Sequence, residues 1–399
     1  MDLASFKTLL TPAGQEALRA AESLEPREQD FLRHFQALER EYTADLARAA
    51  LETAILRQEA KSKFPFAVRM YFTRPALEQA SAYEVSSYRS ERYRDFKALA
   101  DLACSIGGDT LALAAIAPVT GIDLDPLRLA MAQANLNALG WGDRAEFLLS
   151  DLRDPLPFGL PGAAGLFFDP ARRAQGRRIH SVREYLPPLE VALGWLERYP
   201  ALGVKISPGV KLEEVEGYGA EVEFISLNGD LKEATPWFGP LKQALRRATV
   251  LPGPHILSSE VEPQALLRLP VKAPGAYLYE PDAAVLRAGL VAMLGARLDA
   301  AQLDPDIAYL TAEERRHTPF ARVWTVEDWF PFGLKRLRSY LRARGVGRVT
   351  VKKRGSPLQP EELIRDLRLS GESGRVVFLT HLRGRPIVVI CYPEEVPGA

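Results

Sequence analysis

Residues 101–110 read DLACSIGGDT, and three related pieces follow: VTGIDLDP at 119–126, SDLRDP at 150–155 and FFDPARR at 167–173. Each is a short apolar run that ends in an acidic residue beside Gly or Pro. Strands of a parallel α/β sheet have this form where they deliver polar side chains to a ligand crevice at their carboxyl ends. One such end carries little information. Four in order, at Asp101, Asp123, Asp151 and Asp169, describe a site.

The turn after the first piece narrows the ligand. Ser105, Gly107 and Gly108 are small enough to let the backbone approach a bound molecule, and a helix opens directly after them. Asp123 ends the second strand, where a carboxylate accepts hydrogen bonds from both hydroxyls of a ribose. At the third end, Asp151 and the backbone of Leu152 are placed to meet an adenine's amino group and ring nitrogen. The dinucleotide fingerprint G-x-G-x-x-G would need glycine at 105, 107 and 110, and only Gly107 is present. The pattern G-x-x-x-x-G-K-[ST] is absent. Asp101, ahead of the turn, stands where a carboxylate holds the ammonium end of S-adenosylmethionine, so an adenosyl sulfonium carrier fits best.

Outward from this stretch, strands are expected at about 99–104, 119–124, 145–150, 164–169, 201–206 and 221–227, with a last one near 248–251. Helices are expected at about 108–116, 126–138, 184–198 and 237–247. Strands alternating with helices of this length indicate βαβ units around a mostly parallel sheet. Ahead of them, residues 13–60 carry apolar side chains at three- and four-residue steps and read as helical. The Tyr and Arg residues between Tyr83 and Arg94 have two readings, stacking on bases or packing between this region and the sheet; packing is the commoner. Beyond a Pro/Gly-rich stretch at 252–280, residues 282–298 read as helix. From about 322 a small α+β unit follows: a basic helix at 333–344, a strand at 346–353, a helix at 360–368 and strands at 375–381 and 386–391.

The 399 residues are enough for two or three domains, and 47% hydrophobic with 26% charged residues is the composition of a globular protein. Formal net charge is zero, so there is no global attraction to nucleic acid. Locally, residues 331–360 contain no Asp or Glu but many Lys and Arg. Cys104 and Cys391 are the only cysteines, which suggests no disulfide framework and fits a reducing, cytoplasmic setting. The N-terminus lacks the pattern of a signal peptide, and no apolar run has the length of a membrane span. The five histidines are scattered without ligand spacing, so no metal is expected.

Residues 98–251 resemble class I S-adenosylmethionine-dependent methyltransferases, with motif I at Asp101–Asp109, the ribose acid Asp123, the adenine contact at Asp151 and motif IV at Asp169-Pro170-Ala171-Arg172. A closer resemblance runs through KFP (63–65), LEQAS (77–81), VKISPG (204–209), YLYEPDAAVLRAGL (277–290) and VKKRG (351–355). These runs are similar to those of bacterial class I methyltransferases that end in a THUMP-like domain. The resemblance implies a Rossmann-like seven-stranded sheet with an N-terminal helical region and a small C-terminal α+β domain. The implied divisions are 1–95, 96–265, a connecting segment with a helix at 266–321, and 322–399. It implies donor contacts from Asp101, Ser105, Gly107, Gly108, Asp109, Asp123, Leu124, Asp151 and Leu152.

Methyl transfer is an in-line displacement at a sulfonium, so positioning the acceptor supplies most of the catalysis. Asp169 is the candidate to orient the acceptor or take its proton. Arg172 is a second catalytic candidate, and with Arg173 it would bind an anionic part of the substrate. Lys205 and Glu233 are further candidates at later strand ends. Two departures stand out. Ala103 and Ser105 occupy positions where the family commonly has glycine, and motif IV lacks the aromatic with which amino-methylating enzymes grip a base. The expected function is methylation of RNA (tRNA or rRNA), with Arg342, Arg344, Lys352 and Lys353 holding the substrate. The alternatives are a small-molecule or protein methyltransferase and a non-catalytic binding protein of the same fold.

Overall fold

The computed structural model describes residues 1–154, 156, 164–171, 173–174, 177–178, 181–261 and 268–393, with the backbone alone for 173, 174, 177 and 178. The chain divides into two compact units, Met1–Ile225 with Lys232–Gln243, and Ser226–Leu231 with Ala244–Ala399.

The first unit opens with helices α1 (Leu3–Leu9), α2 (Pro12–Ser23), α3 (Phe31–Leu38) and α4 (Ala44–Ala60). The expected helical run is thus real but interrupted. Glu25 at φ 45° and Pro26 stop α2, because neither continues a right-handed helix. Helix α4 is buried on nearly every side, from Leu46 through Ala60, and forms the centre of this helical region. Helices α5 (Arg74–Gln79) and α6 (Tyr83–Ser90) then lead to the sheet.

Strands β1 (Leu99–Leu102), β2 (Val119–Asp123), β3 (Ala145–Leu149) and β4 (Gly165–Phe168) follow the sequence reading closely. So do α7 (Gly108–Ile116) and α8 (Pro126–Ala138) between them. Asp125 caps α8 by accepting from the amides of Leu127 and Arg128, and Pro126 takes the first helical position, where its missing N–H costs nothing. A two-residue ladder, β5 (Arg173–Ala174) with β6 (Arg177–Arg178), precedes α9 (Leu189–Gly194) and β7 (Leu202–Val204). Helix α9 is much shorter than the expected 184–198, since Pro187 and Pro188 delay its start.

The expected helix at 237–247 does not form. Strand β8 (Glu221–Leu227) turns at Asn228-Gly229, both at positive φ, into β9 (Asp230–Trp237). Asn-Gly between two strands is the favoured two-residue hairpin turn, and Gly239-Pro240 after Trp237 breaks any helix there. In the first unit the strand order is β3-β2-β1-β4-β7-β9-β8. Pairs β1–β2, β2–β3, β1–β4 and β4–β7 are parallel, whereas β7–β9 is antiparallel. That is the open, mostly parallel α/β sheet that the sequence leads one to expect, with β9 as a reversed strand that was not among the expected ones.

The second unit begins with an antiparallel pair, β10 (Arg246–Leu251) and β11 (His255–Ser259). Next come β12 (Tyr277–Pro281), α10 (Ala283–Arg287), α11 (Val291–Leu298), β13 (Ala301–Asp304), β14 (Ile307–Ala312) and β15 (Ala321–Pro331). The chain then runs through α12 (Leu334–Ala343), β16 (Val346–Lys353), α13 (Pro360–Leu367), β17 (Ser373–Leu382) and β18 (Arg385–Cys391). One sheet, ordered β13-β14-β12-β15-β18-β17-β16, joins them. The segment read as a connection therefore contributes three strands of that sheet. Both sheet faces are apolar along β17 and β18. Val377, Leu379, Val388 and Ile390 pack with Leu337, Leu341, Leu363 and Leu367 of α12 and α13. Val376, Phe378 and Val389 pack with Tyr309 and Trp324. Period-two alternation explains this, since each face must be covered. No helix among the described residues is long and apolar enough to cross a membrane.

Candidate active site

A cavity of about 440 Å³ opens at the carboxyl ends of β1, β2, β3 and β4. Its wall includes Ser105, Gly108, Asp109, Asp123, Leu124, Asp151, Leu152 and Asp169. Seven of the nine expected donor contacts are therefore gathered around one space. The other two lie behind it. Gly107 is the left-handed residue of the turn at φ 79°; a Cβ there would meet Ala132 and Leu136 at 3.2 Å, so this glycine serves the packing of α7 on α8. Asp101 is fully buried and off the wall.

The turn is held in an unusual backbone. Ala103 and Ser105 have φ of 62° and 52°, at the two positions where glycine was expected. Left-handed geometry costs a residue with a Cβ about 1–2 kcal/mol, against the roughly 0.5–1 kcal/mol that a glycine's extra unfolded freedom costs. Ala103→Gly is expected to stabilise the protein by about 0.5–1 kcal/mol, read as a higher urea midpoint with unchanged slope. An unchanged or lower midpoint would show that the turn is not strained at Ala103.

Asp123 anchors that turn. Its Oδ2 accepts from the Ser105 amide at 2.8 Å and its Oδ1 from the Asp125 amide at 2.9 Å. Each oxygen retains a lone pair for a ligand hydroxyl. At the third strand end Arg153 grips both oxygens of Asp151, with Nε at 3.0 Å from each. The side-chain bond from Arg153, then its backbone amide, hold the Asp151 carboxyl down at about 2. Asp151 thus reaches a ligand only as one partner of a closed pair, and the adenine contact falls more to the neighbouring backbone of Leu152.

Two further acids are each neutralised from behind. Asp109 Oδ1 accepts from Ser86 Oγ at 2.7 Å and from Arg89 Nη2. Burial alone would push the Asp109 carboxyl up, but the guanidinium of Arg89 and then Lys205 hold it below the usual range. Asp169 Oδ2 accepts from Lys205 Nζ at 2.6 Å. In both cases the contacts found among the described residues use one oxygen only. Asp101 is the opposite case. Burial, with Asp109 next and Asp169 further on, pushes its carboxyl well up; Thr110 Oγ1 donates to Oδ2 at 2.5 Å, and Oδ1 has no partner among the described residues.

This set suits S-adenosylmethionine. The adenosine end needs the ribose acid and apolar wall that Asp123, Leu124 and Leu152 provide. The cationic end needs a carboxylate on the wall with an oxygen to spare, and Asp109 is so placed, with Asp101 buried behind it.

The residues that hold these acids were less visible in the sequence. Arg89, on α6, is 2% exposed at its side chain, pairs with Asp109 and with Glu233 Oε1 at 3.0 Å, and lies over the Phe167 ring. Arg92 meets Glu221 at 2.7 Å and Glu223 at 3.0 Å. Of the two readings of the Tyr83–Arg94 segment, packing against the sheet is the one found. Cys104 is buried in the turn beside the cavity, and its thiol is pushed well up by burial and then by Asp101 and Asp123. Arg172 lies outside the described residues, as does the side chain of Arg173.

In the second unit the expected substrate residues have partners. Arg342 donates to the Arg368 carbonyl at 2.7 Å, Arg344 pairs with Glu327 at 3.1 Å, and Lys353 donates to Gln359 at 3.0 Å. Lys352 is tied to Glu280 and lies over Trp324. Lys352 is thus the least available of the four. Among the described residues no group of three or more His, Cys, Asp or Glu is placed to hold a metal ion.

Known proteins resemble the chain throughout. A family model described as THUMP domain-like matches residues 321–393, and one for a domain of unknown function matches residues 2–60. An uncharacterized S-adenosylmethionine-dependent methyltransferase of Mycobacterium tuberculosis is 36% identical over 351 residues, covering 85% of this chain and 94% of that protein. The crystal structure of a protein described as a methyltransferase, from Porphyromonas gingivalis W83, shares the fold at a TM-score of 0.74. It is 21% identical, and the match covers 93% of this chain and 100% of that one. With the donor cavity at the strand ends and this identity over most of both chains, the protein belongs to the class I S-adenosylmethionine-dependent methyltransferases that end in a THUMP-like domain.

Proposed function

We propose that the chain transfers the methyl group of S-adenosylmethionine to RNA, a tRNA or rRNA, in the cytoplasm. The observation that carries this reading is the joining of a methyl-donor site and a THUMP-like domain with a run of exposed basic residues in a single chain. Lys335, Arg336 and Arg342 on α12, Arg344 just after it, and Arg348 and Lys353 on β16 are exposed, in a stretch of sequence from 331 to 360 without an acidic residue. Such a stripe suits a phosphate backbone.

In this reading Asp123 holds the ribose, Leu124 and Leu152 the adenine, and Asp109 the ammonium end of the donor, with Asp101 behind it. The donor supplies an electrophilic methyl. Asp169, on the same wall beside Pro170 and Ala171, orients the acceptor with the oxygen that Lys205 leaves open. Arg172 and Arg173 follow it in the chain as contacts for an anionic part of the substrate. Motif IV offers no aromatic to stack on a base, so the grip on the nucleic acid falls to the basic surface.

Replacing Lys335, Arg342, Arg348 and Lys353 with Gln is expected to weaken binding to bulk tRNA and to make the log–log salt slope shallower by about three. Donor affinity should stay unchanged. Nucleoside mass spectrometry of RNA from cells with and without the gene then identifies the product. A wild-type protein whose RNA binding ignores salt, together with an unchanged nucleoside profile in the deletion, would move the acceptor to small molecules or proteins.

A further inference from the structure

Two lysines hold helix α5 against the cavity. Helix α5 leaves its last carbonyls without intrahelical partners, and side-chain ammonium groups take up all four. Lys63 Nζ donates to the carbonyls of Leu77 at 2.7 Å, Glu78 at 3.0 Å and Ala80 at 2.9 Å. Lys205 Nζ donates to the carbonyl of Gln79 at 3.3 Å. Burial, then the neighbouring Lys205 and Lys232, push the Lys63 ammonium down to about 8. Helix α5 in turn supplies Ala76 and Gln79 to the cavity wall.

Lys205 has a second bond, to Asp169 Oδ2 at 2.6 Å. Its side chain is 3% exposed, whereas that of Asp169 is 21% exposed. The lysine is therefore sealed behind the carboxylate, and only the carboxylate reaches the cavity. A buried ammonium with two fixed acceptors leaves Asp169 little freedom to rotate. Among the described residues Oδ1 has no partner, which leaves it for a ligand.

We propose that Lys205 is the positioning residue of the transfer step, fixing Asp169 so that Oδ1 receives the proton of an acceptor whose nucleophilic atom carries one: an amine or amide nitrogen, or a hydroxyl. This rests on the methyl-transfer reading of the cavity and not on the acceptor being RNA. As the acceptor X–H attacks the methyl, the X–C bond forms and the S–C bond breaks. The electron pair stays with sulfur, and the X–H proton passes to Asp169 Oδ1. An acceptor without such a proton gains nothing from this arrangement.

The test uses the full-length protein, tritiated-methyl S-adenosylmethionine, and an extract of a deletion strain separated into RNA, protein and small-molecule fractions. The labelled fraction decides the acceptor class, and the variants are then measured on that fraction. Lys205→Met is expected to lower kcat about a hundredfold, the scale of a misplaced reacting group. Its KM for the acceptor and its affinity for S-adenosylhomocysteine by calorimetry should stay within about threefold, the split expected when a transition-state contact is lost. Lys205→Arg, which keeps the charge, should recover most of kcat. Should Lys205→Met not fold, Asp169→Asn carries the same question, with a kcat loss of at least about a hundredfold and unchanged donor affinity. Wild-type kcat in Lys205→Met or in Asp169→Asn would overturn the proposal, as would a loss confined to KM. Label entering protein or small molecules would overturn the RNA reading and leave this one standing on its own measurements.

Discussion

Asp123→Ala is expected to weaken S-adenosylmethionine binding by about a hundredfold or more, since hydrogen bonds to a charged group are worth about 1.5–3 kcal/mol each and a ribose offers two. The same substitution removes the acceptor of the Ser105 and Asp125 amides. The turn from Ala103 to Gly107 then loses its anchor while its left-handed backbone still has to be held. Both effects act on the donor, so calorimetry with S-adenosylmethionine reads them together. Asp123→Asn should fall between wild type and Asp123→Ala, because its NH₂ would face one of those amides. Binding of wild-type strength in Asp123→Ala would place the ribose elsewhere in the cavity.

The second large effect is on stability. Arg89→Leu is expected to cost about 3–5 kcal/mol, the scale for stranding a buried charge, because Asp109 and Glu233 would both lose their cation. Urea unfolding reads the loss directly. Its pH dependence carries the sign. The Asp109 carboxyl lies below the usual range in the folded protein, so its contribution is complete above the unfolded value, about 4, and is lost as pH falls through the lower folded one. Without Arg89 burial lets the carboxyl rise, so acid no longer removes this contribution, and the stability gap between variant and wild type should narrow as pH falls below about 4. A variant with wild-type stability and acid limb would mean that the two carboxylates are screened some other way.

The strand ends were legible because each combines an apolar run, an acid and a Gly or Pro within a few neighbouring residues. Helices α7 and α8 were legible for the same reason, with Gly107 and the Asp125-Pro126 cap as local start signals. Strand β9 carried its own signal in Asn228-Gly229, which outweighs the helix-like pattern after it. The strands between 277 and 312 carried less, since Pro and Gly around them mark turns as readily as a linker. Arg89 and Lys63 had no legible role, and Lys205 was legible only as a candidate at a strand end, because their partners are not their neighbours in sequence. Arg89 meets Glu233 and Lys205 meets Asp169 only after the sheet brings them together.

What the sequence determined by itself is the donor: small residues in a turn, an acid on the next strand and the order of four strand ends are local facts, and they select an adenosyl sulfonium carrier. Tertiary structure decided which of those residues face it. Asp101 and Gly107 turn out to sit behind the wall, Asp151 is closed by Arg153, and among the described residues Asp109 and Asp169 each have one oxygen taken by a buried cation and no contact on the other. Buried charge must be paired, and a chain pairs it across distances that spacing along the sequence does not record.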